Sequence, residues 1–174
     1  MIQFREATPD DIPIIAALHA LSWQNAYRGI LRDDYLDKEV HQERLTLWRQ
    51  RLAQPAEKQW VWLALDGPKL LGFVCVLGDH DPEWGSLIDN LHVHPDLKGQ
   101  GLGALLMRES AGWMKENCAM QRFYLWVYEE NAPARRFYEK MGAVYRGSET
   151  YENPGGGQAR VARYAWASFD DILR

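Results

Sequence analysis

One stretch of this chain, from Leu87 to Met107, limits the possible folds more than any other. It reads LIDNLHVHPDLKGQGLGALLM, which is an apolar-rich strand followed by a glycine-rich turn and an apolar helix. Gly99, Gly101 and Gly103 leave successive backbone N–H groups uncovered by side chains at the start of that helix, where the helix dipole favours negative charge. The stretch therefore predicts a cradle for a phosphate or pyrophosphate.

Glycines spaced in this way are not specific to one kind of site. Helices often begin after glycine, and an ordinary strand-to-helix connection can show the same residues. A Walker loop would need Gly-Lys-Ser/Thr at its end, whereas Ala104 follows Gly103. A dinucleotide fold would need an acidic residue about twenty residues further on, after a second parallel strand. Glu116 lies near that distance but not on a convincing strand.

A second stretch, LWVYEENAPARRFYEKMGA from Leu125 to Ala143, also joins a strand to a helix. Asn131 has the side chain of a helix N-cap, and Gly142 is placed to end the helix. The apolar positions between them recur with the i, i+3, i+4, i+7 spacing of one helix face: Ala134, Phe137, Tyr138 and Met141. The spacing predicts a short amphipathic helix.

Together the two stretches resemble the GCN5-related N-acetyltransferase (GNAT) superfamily, and the resemblance extends from about Arg5 to Trp166. It implies an α/β fold whose mixed, mostly antiparallel sheet contains a splayed parallel strand pair and is flanked by helices. It also implies that the glycine loop binds the pyrophosphate of acetyl-CoA, with coenzyme A as product. The residues that match this loop are Lys98, Gly99, Gln100, Gly101, Leu102, Gly103 and Ala104. The residues whose backbone would pair with the pantetheine arm are Leu91, His92 and Val93.

The resemblance further implies roles for Asn131 and Tyr138, which match the family's asparagine and tyrosine. Tyr138 would face the cofactor sulfur, where a phenol with a pKa near ~10 can hydrogen-bond to a thiolate whose thiol has a pKa near ~8.5. The alternative for Tyr138 is core packing with Phe137. Asn131 can cap the helix and still contact the cofactor. Lys98 stands where the family usually has arginine or glutamine, and it keeps a positive charge without the guanidinium fork.

Acyl transfer from a thioester to an amine requires a deprotonated amine, a donor for the developing oxyanion and a hydrogen bond or proton for the thiolate. An alkyl amine with a pKa near ~10.4 costs roughly 4–5 kcal/mol to deprotonate at neutral pH. Asp89 is the candidate base. On an unbroken strand it would share a face with the apolar residues at alternate positions, Leu87, Leu91 and Val93. The alternative is a bulged strand with Asp89 in solvent. We expect His92 to be a structural histidine rather than a base.

The acceptor site lies, by the same resemblance, between the early helices and the last hairpin. Trp23 and Tyr27 are four residues apart and can share a helix face, where they could wall an acceptor pocket or hold an ammonium group by cation–π contact. The alternative is that both rings pack the helix onto the sheet. The glycines at 155–157 predict a mobile flap over the cleft or a loose turn. The small size of the chain favours a small-molecule amine over a protein N-terminus.

The composition limits the partners and the compartment that we expect. The 174 residues, 47% hydrophobic and 25% charged, suit one compact domain over 1–174. A net charge of −4 argues against a nucleic-acid partner, and no apolar run approaches the ~20 residues that cross a bilayer, so we expect no membrane partner. Cys75 and Cys118 suit free thiols in the cytoplasm, and no Cys/His spacing typical of a metal site is present. A homodimer is an expectation from the resemblance alone.

The order of predicted elements completes the expected fold. It comprises a strand at 2–7, a helix from 8 or 10 to 20, a helical region at 35–52, a hairpin of 60–65 and 69–77, the cofactor strand at 86–93 with its helix at 102–117, a strand at 122–128, a helix at 132–141 and a hairpin of 144–151 and 160–167. This order predicts a mixed α/β sheet. The function favoured is acetyl transfer by direct attack of an amine in a ternary complex. The alternatives are a non-catalytic acyl-CoA-binding sensor and a nucleotide-binding fold that uses the same glycines.

Overall fold

The computed structural model describes residues 1–173 and contains a seven-stranded sheet with helices on both faces. The strands are β1 (Gln3–Glu6), β2 (Gln59–Asp66), β3 (Lys69–Asp81), β4 (Gly85–Val93), β5 (Phe123–Tyr128), β6 (Val144–Glu152) and β7 (Gln158–Trp166). The helices are α1 (Ile12–Ala26), α2 (Asp33–Lys38), α3 (Val40–Ala53), α4 (Leu102–Asn117), α5 (Ala132–Lys140) and α6 (Asp170–Leu173). The strand order is β1-β2-β3-β4-β5-β7-β6, and β4 and β5 pair in parallel while the other neighbours are antiparallel. The predicted mixed sheet is confirmed.

Alternation along the strands gives the sheet an apolar surface on each face. On one face, Leu106 of α4 packs in a cluster with Val74 of β3 and with the inward side chains of β5 and β7. On the other face, Trp48 of α3 and the apolar side of α1 pack on Phe73. Tyr35 of α2 packs on the same face, over β5 and β7. The helices of the two sequence motifs, α4 and α5, therefore lie opposite the early helices, with β4 and β5 between them.

The parallel strands β4 and β5 separate along their length. Of the described residues, only Ser86 with Phe123 and Leu87 with Tyr124 pair these two strands. β4 then continues to Val93 and β5 to Tyr128 without pairing to each other. Beyond that point the backbone N–H and C=O groups on the facing edges of the two strands do not pair with each other. Because such groups require hydrogen bonds, they are available to another partner. The predicted splayed parallel pair is confirmed.

The predicted bounds of α4 and α5 are confirmed within a residue. Two other helix predictions, the end of α1 and the region 35–52, need correction. α1 extends past residue 20 to Ala26, because the chain has no glycine or proline that would end the helix before Gly29. The single helical region predicted at 35–52 is wrong, since it divides into α2 and α3 at Glu39. The division has a physical cause. Tyr35 of α2 packs in the cluster over β5 and β7, whereas Trp48 of α3 packs in a separate cluster on β3, so the two helices cover different parts of the sheet.

Two further expectations concern single residues and segments. Cys75 and Cys118 are free, as expected; both are buried, in clusters on opposite faces of the sheet. The hairpin of β2 and β3 turns at Gly67, which has a left-handed φ of 55°. None of the helices within residues 1–173 is long and apolar enough to cross a membrane.

Candidate active site

A cleft of about 810 Å³ lies where β4 and β5 separate. Most residues predicted for the site line it: Trp23, Tyr27, Asp89, Leu91, His92, Val93, Lys98, Gly99, Gly101, Gly103, Ala104, Asn131 and Tyr138. Two predicted residues do not. The side-chain amide of Gln100 donates to the Asp96 backbone carbonyl at 3.1 Å. The side chain of Leu102 is buried in the core. The fold thus brings both sequence motifs and the early aromatic pair to one site.

The glycine turn has the backbone conformation of an anion cradle. Gly99 and Gly101 adopt left-handed φ angles of 79° and 87°, and a Cβ at either position would meet no atom within 4 Å. Open space therefore adjoins the first turn of α4, whose N–H groups have no intrahelical partner. Gly103 differs from both, because a Cβ there would be in ordinary contact with the Phe137 ring of α5, at 3.4 Å.

β4 carries a bulge at Asp89. Asn90 pairs with Cys75 of β3 and Ile88 pairs with Val76, which leaves Asp89 between them without a partner residue. A bulge inserts one extra residue and changes which side chains face each side of the sheet. The alternation that the sequence predicts for this strand is therefore broken at the candidate base.

The expected common face of Leu87, Asp89, Leu91 and Val93 is wrong as a result. Leu91 and Val93 pack with the α4 cluster, whereas Asp89 forms an ion pair with Arg51 of α3 on the opposite face. The Asp89 side chain is 26% exposed and still lines the cleft. The bulge alternative describes the backbone correctly, but the carboxylate contacts an arginine as well as solvent.

His92 points away from the α4 side and contacts α1. Its Nδ1 lies 2.8 Å from Ser22 Oγ, and its ring centroid lies 4.5 Å from that of His19. Burial lowers the pKa of His92 to about 3, and the nearby positive charges of Arg44 and Lys98 act in the same direction. Burial also holds the pKa of His19 well below its usual range. A neutral imidazole of this kind is a poor proton acceptor at neutral pH.

α5 begins as the sequence predicts, because the Asn131 side-chain oxygen accepts a hydrogen bond from the Ala134 N–H at 3.4 Å. Tyr138 lies on the helix face toward the cleft, with its ring centroid 5.3 Å from that of Phe137. Burial raises the pKa of Tyr138 to about 12. Its hydroxyl is therefore a neutral donor at neutral pH. Complete transfer of its proton to a thiolate with a thiol pKa near ~8.5 would be uphill by roughly 5 kcal/mol.

Aromatic side chains of α1, β5 and β6 line the half of the cleft where the acceptor is expected, which is called the acceptor half below. Tyr27 packs edge-on against Tyr128 with 5.0 Å between ring centroids, and Tyr128 lies 6.3 Å from Tyr151. Trp23 already has a cation over its ring, because the Arg44 guanidinium lies 4.2 Å from the ring centroid. Trp23 therefore packs within the protein as well as lining the cleft, and its cation–π partner is an arginine of the same chain.

Four residues that line this half were not predicted from the sequence as site residues: Trp126, Tyr128, Glu149 and Tyr151. Period-two alternation predicts that Trp126 and Tyr128 share a face of β5, and that Glu149 and Tyr151 share a face of β6. What the local sequence does not predict is that these two strands face the same cleft, because that depends on long-range strand pairing. Only the order β5-β7-β6 brings these two strands to the same cleft.

The turn between β6 and β7 is anchored to the early helices. The Arg32 guanidinium donates to the Gly155 carbonyl at 2.7 Å. A Cβ at Gly155, where φ is 77°, would lie 2.3 Å from the Tyr35 ring. The glycine at this position thus permits close packing on α2. The turn is therefore packed against α2, rather than the loose turn expected as one alternative from the sequence.

Comparison with known proteins agrees with this geometry. A family model described as the acetyltransferase (GNAT) family matches residues 18–143. The chain belongs to this family. A Mycobacterium tuberculosis protein named as a probable N-acetyltransferase is 30% identical over 142 residues, which cover 80% of this chain and 78% of that protein. The peptidyl-lysine N-acetyltransferase YjaB of Salmonella typhimurium is 29% identical over 99 residues, which cover 55% of this chain and 57% of that protein.

Solved structures show the same GNAT fold. The PaiA N-acetyltransferase of Thermoplasma acidophilum, in complex with coenzyme A, matches with a TM-score of 0.68 at 17% identity, covering 95% of this chain and 99% of that chain. The resemblance inferred from the two sequence motifs is confirmed, and the chain is an acyltransferase. The dinucleotide-fold alternative is wrong, because that fold is a mostly parallel sheet and the sheet in residues 1–173 has one parallel pair.

Proposed function

We propose that this GNAT protein transfers the acetyl group of acetyl-CoA to the primary amine of a small molecule, by direct attack in a ternary complex. The observation that carries the proposal is the meeting of the glycine cradle, the free edge of β4 and Tyr138 in one cleft. Acetyl-CoA, when bound, supplies an activated thioester carbonyl. The coenzyme A complex of the PaiA structure supports this choice of donor.

The cleft residues fit a coenzyme with an anionic end and a long amide-containing arm. The N–H groups around Gly99, Gly101 and the start of α4 would hold the pyrophosphate. Lys98 would add positive charge at the rim, where its Nζ lies 2.9 Å from Asn25 Oδ1. The free backbone groups at 91–93 would receive the arm as a sheet edge receives an added strand. Asn131, at the entrance to α5, would contact the arm from the other side.

Tyr138 would act at the sulfur as a hydrogen-bond donor. Its pKa of about 12 makes it a neutral phenol, so it stabilises negative charge without losing its proton. A hydrogen bond to a charged acceptor contributes about 1.5–3 kcal/mol, which corresponds to roughly a 10- to 150-fold rate effect. The proton that the sulfur finally takes would come from solvent.

Asp89 would accept the proton that the attacking amine releases, directly or through a water molecule. The Arg51 ion pair fixes the carboxylate at the splay between β4 and β5. No thiol in the described chain is placed to carry the acetyl group, since Cys75 and Cys118 are buried and neither lines the cleft. Burial raises the pKa of Cys75 to about 12, which further disfavours a nucleophilic thiolate. These observations favour direct attack.

Cofactor binding is tested by thermal shift with acetyl-CoA, coenzyme A, ATP and NAD. A ligand at ~100 times its Kd should stabilise the folded protein by about 2.7 kcal/mol. Gly101→Glu should abolish the shift, because it places a carboxylate in the anion cradle. Gly67→Glu is the matched control, since Gly67 also has a left-handed φ with open space but lies on the distant β2–β3 turn. Equal loss of the shift in both variants would contradict the proposed cradle.

Catalysis is tested by thiol release and by mass of the product over a panel of amines. Tyr138→Phe should lower kcat by about 10- to 150-fold and leave the acetyl-CoA shift unchanged. Tyr145→Phe is the control, because Tyr145 is 50% exposed on β6 and its hydroxyl contacts Ser148 rather than the cleft. Cofactor binding without turnover on any amine would support the sensor alternative instead.

A further inference from the structure

His92 and Ser22 form a hydrogen-bonded pair in the wall of the cleft. Both residues line the cleft and both are mostly buried, with 9% and 5% of their surface exposed. His92 Nδ1 lies 2.8 Å from Ser22 Oγ, and neither side chain has another hydrogen-bond partner within residues 1–173. Unlike His19 Nε2, which is sealed from solvent, His92 Nε2 keeps solvent contact. It therefore faces the open space of the cleft.

The pair determines which ring nitrogen carries the proton. A serine hydroxyl has one hydrogen to donate, and the described residues offer the Ser22 hydroxyl no acceptor other than His92 Nδ1. When Nδ1 accepts, the proton of the neutral ring is on Nε2. The opposite tautomer would leave the hydrogen of a mostly buried hydroxyl without a partner, which costs free energy. The hydrogen-bond network thus gives the ring an N–H donor that points into the cleft.

The surroundings of the ring suit an oxygen that becomes negative during a reaction. Burial against α1 lowers the pKa of His92 to about 3, so the ring is a neutral donor at neutral pH. His19, whose ring centroid lies 4.5 Å away, is kept neutral by its own burial. The positive charges of Arg44 and Lys98 act on the ring, and they would also favour an anion beside it. A fixed neutral donor next to positive charge is the environment of an oxyanion site.

The bulge in β4 places this donor on the same side of the sheet as the candidate base. On an unbroken strand, residues three apart point to opposite faces. Because of the extra residue, Asp89 contacts Arg51 of α3 while His92 contacts Ser22 of α1, and α1 and α3 pack on one face of the sheet. Tyr138 of α5 lines the cleft from the opposite side. The base and the donor therefore flank the splay together.

We propose that His92, held by Ser22, donates from Nε2 to the acetyl oxygen of acetyl-CoA and stabilises the oxyanion that forms when the amine attacks. This inference rests on the proposed function, in which Tyr138 acts at the sulfur, Asp89 acts at the amine and no side chain acts at the acetyl oxygen. The amine lone pair forms the N–C bond while the π pair of the carbonyl moves to oxygen. When the carbonyl re-forms, the C–S bond breaks and its electron pair leaves on the sulfur of coenzyme A. The amine proton passes to Asp89, and His92 keeps its proton throughout.

The kinetic test uses side chains of different reach. The amide nitrogen of glutamine can take the position of the imidazole Nε2, whereas that of asparagine reaches only as far as Nδ1. Single-turnover acetyl transfer from bound acetyl-CoA is measured with phenethylamine, L-phenylalaninamide and Nα-acetyl-L-lysine amide. His92→Asn should lower the rate at saturating amine by about 100-fold, and His92→Gln should recover about tenfold or more of that loss. His41→Asn is the matched control, since His41 is exposed on α3, and its rate should equal that of wild type.

A role in packing or in acceptor binding gives different results. An equal loss of rate in His92→Asn and His92→Gln would overturn the proposal, because the donor at Nε2 would then have no effect of its own. A raised acceptor KM with an unchanged rate at saturating amine would overturn it as well. Ser22→Ala should lower the rate by less than His92→Asn, because the ring stays in place and loses only the bond that fixes its proton. A Ser22→Ala rate equal to that of wild type would overturn the role of Ser22.

A binding measurement without turnover uses the ¹⁵N signals of the His92 ring, read through its carbon-bound protons and assigned by their absence from the His92→Gln spectrum. Nε2 should be protonated and Nδ1 unprotonated, and the reverse would overturn the proposal. The ketone analogue of acetyl-CoA, with a methylene in place of the thioester sulfur, should shift the Nε2 signal relative to coenzyme A, which lacks the acetyl oxygen. Identical Nε2 signals with the two compounds, together with acetylation of an amine, would overturn the proposal and keep the proposed function. A shift without acetylation of any of the three amines would overturn the proposed function and keep the contact with the carbonyl.

Discussion

Lowering the pH from 7 to 5 should reduce the free energy of unfolding by about 2 kcal/mol through His92 alone. The folded-state pKa of His92 is about 3, because the ring is buried against α1, while the unfolded-state pKa lies near 6.5. The unfolded chain therefore binds a proton below pH 6.5 that the folded chain does not accept. Stability is complete above that pH and falls by about 1.4 kcal/mol per pH unit until the folded pKa is reached. The buried His19 adds a loss of the same sign.

Between pH 7 and pH 5 the change in stability comes from the buried histidines and hardly at all from the carboxylates. Asp11 and Asp79 have pKa values lowered to about 2, so their contribution is lost mainly as the pH falls below their unfolded values near ~3.9. Between pH 7 and 5 a carboxylate of this kind changes stability by about 0.1 kcal/mol or less. Urea denaturation at both pH values, at constant ionic strength, then measures the histidine term directly.

His92→Gln supplies the decisive comparison. The variant should lose about 2 kcal/mol less than wild type between pH 7 and pH 5, whatever its stability at pH 7. His41→Gln is the matched control, since His41 is exposed on α3, and its loss should equal that of wild type. If His92→Gln and wild type lose the same stability, the buried neutral imidazole is not the source of the acid sensitivity, and the geometry assigned to His92 is wrong.

Three further predictions concern close contacts. Asp79→Ala should lower stability by about 2–4 kcal/mol in urea denaturation, because the carboxylate accepts from Lys58 Nζ at 2.5 Å and from two backbone N–H groups at 3.0 Å. Gly72→Ala should cost about 1–3 kcal/mol, since its Cβ would lie 3.0 Å from a β4 carbonyl. Gly155→Ala should lower the thermal midpoint, because a Cβ there meets the Tyr35 ring at 2.3 Å and the backbone φ is 77°.

The parts of the site that the sequence predicts are those with local signals. A left-handed turn at Gly99 and Gly101 needs glycine, and the Asn131 cap needs a short polar side chain, so both follow from residues within a few positions. The bulge at Asp89 has no such signal, because it is defined by the pairing of β4 with β3. Strand alternation assumes an unbroken register, and one extra residue reverses the facing of all that follows.

The helices show the same division between local and long-range information. The bounds of α4 follow from glycines before it and an apolar periodicity within it. The break between α2 and α3 at Glu39 has no glycine or proline to mark it. It arises because Tyr35 and Trp48 pack into separate clusters over different strands, and the sheet order that separates those clusters is set by residues far along the chain.

The structure alters the role that the sequence predicts for the aromatic side chains of the acceptor half. From the sequence, an aromatic pair on α1 suggests a cage for a cationic amine. In the structure one member of that pair, Trp23, already has the Arg44 guanidinium over its ring. A ring face that already contacts an arginine is not free for a substrate ammonium group. Cation recognition would then fall to Asp89 and Glu149, the two carboxylates that line the cleft.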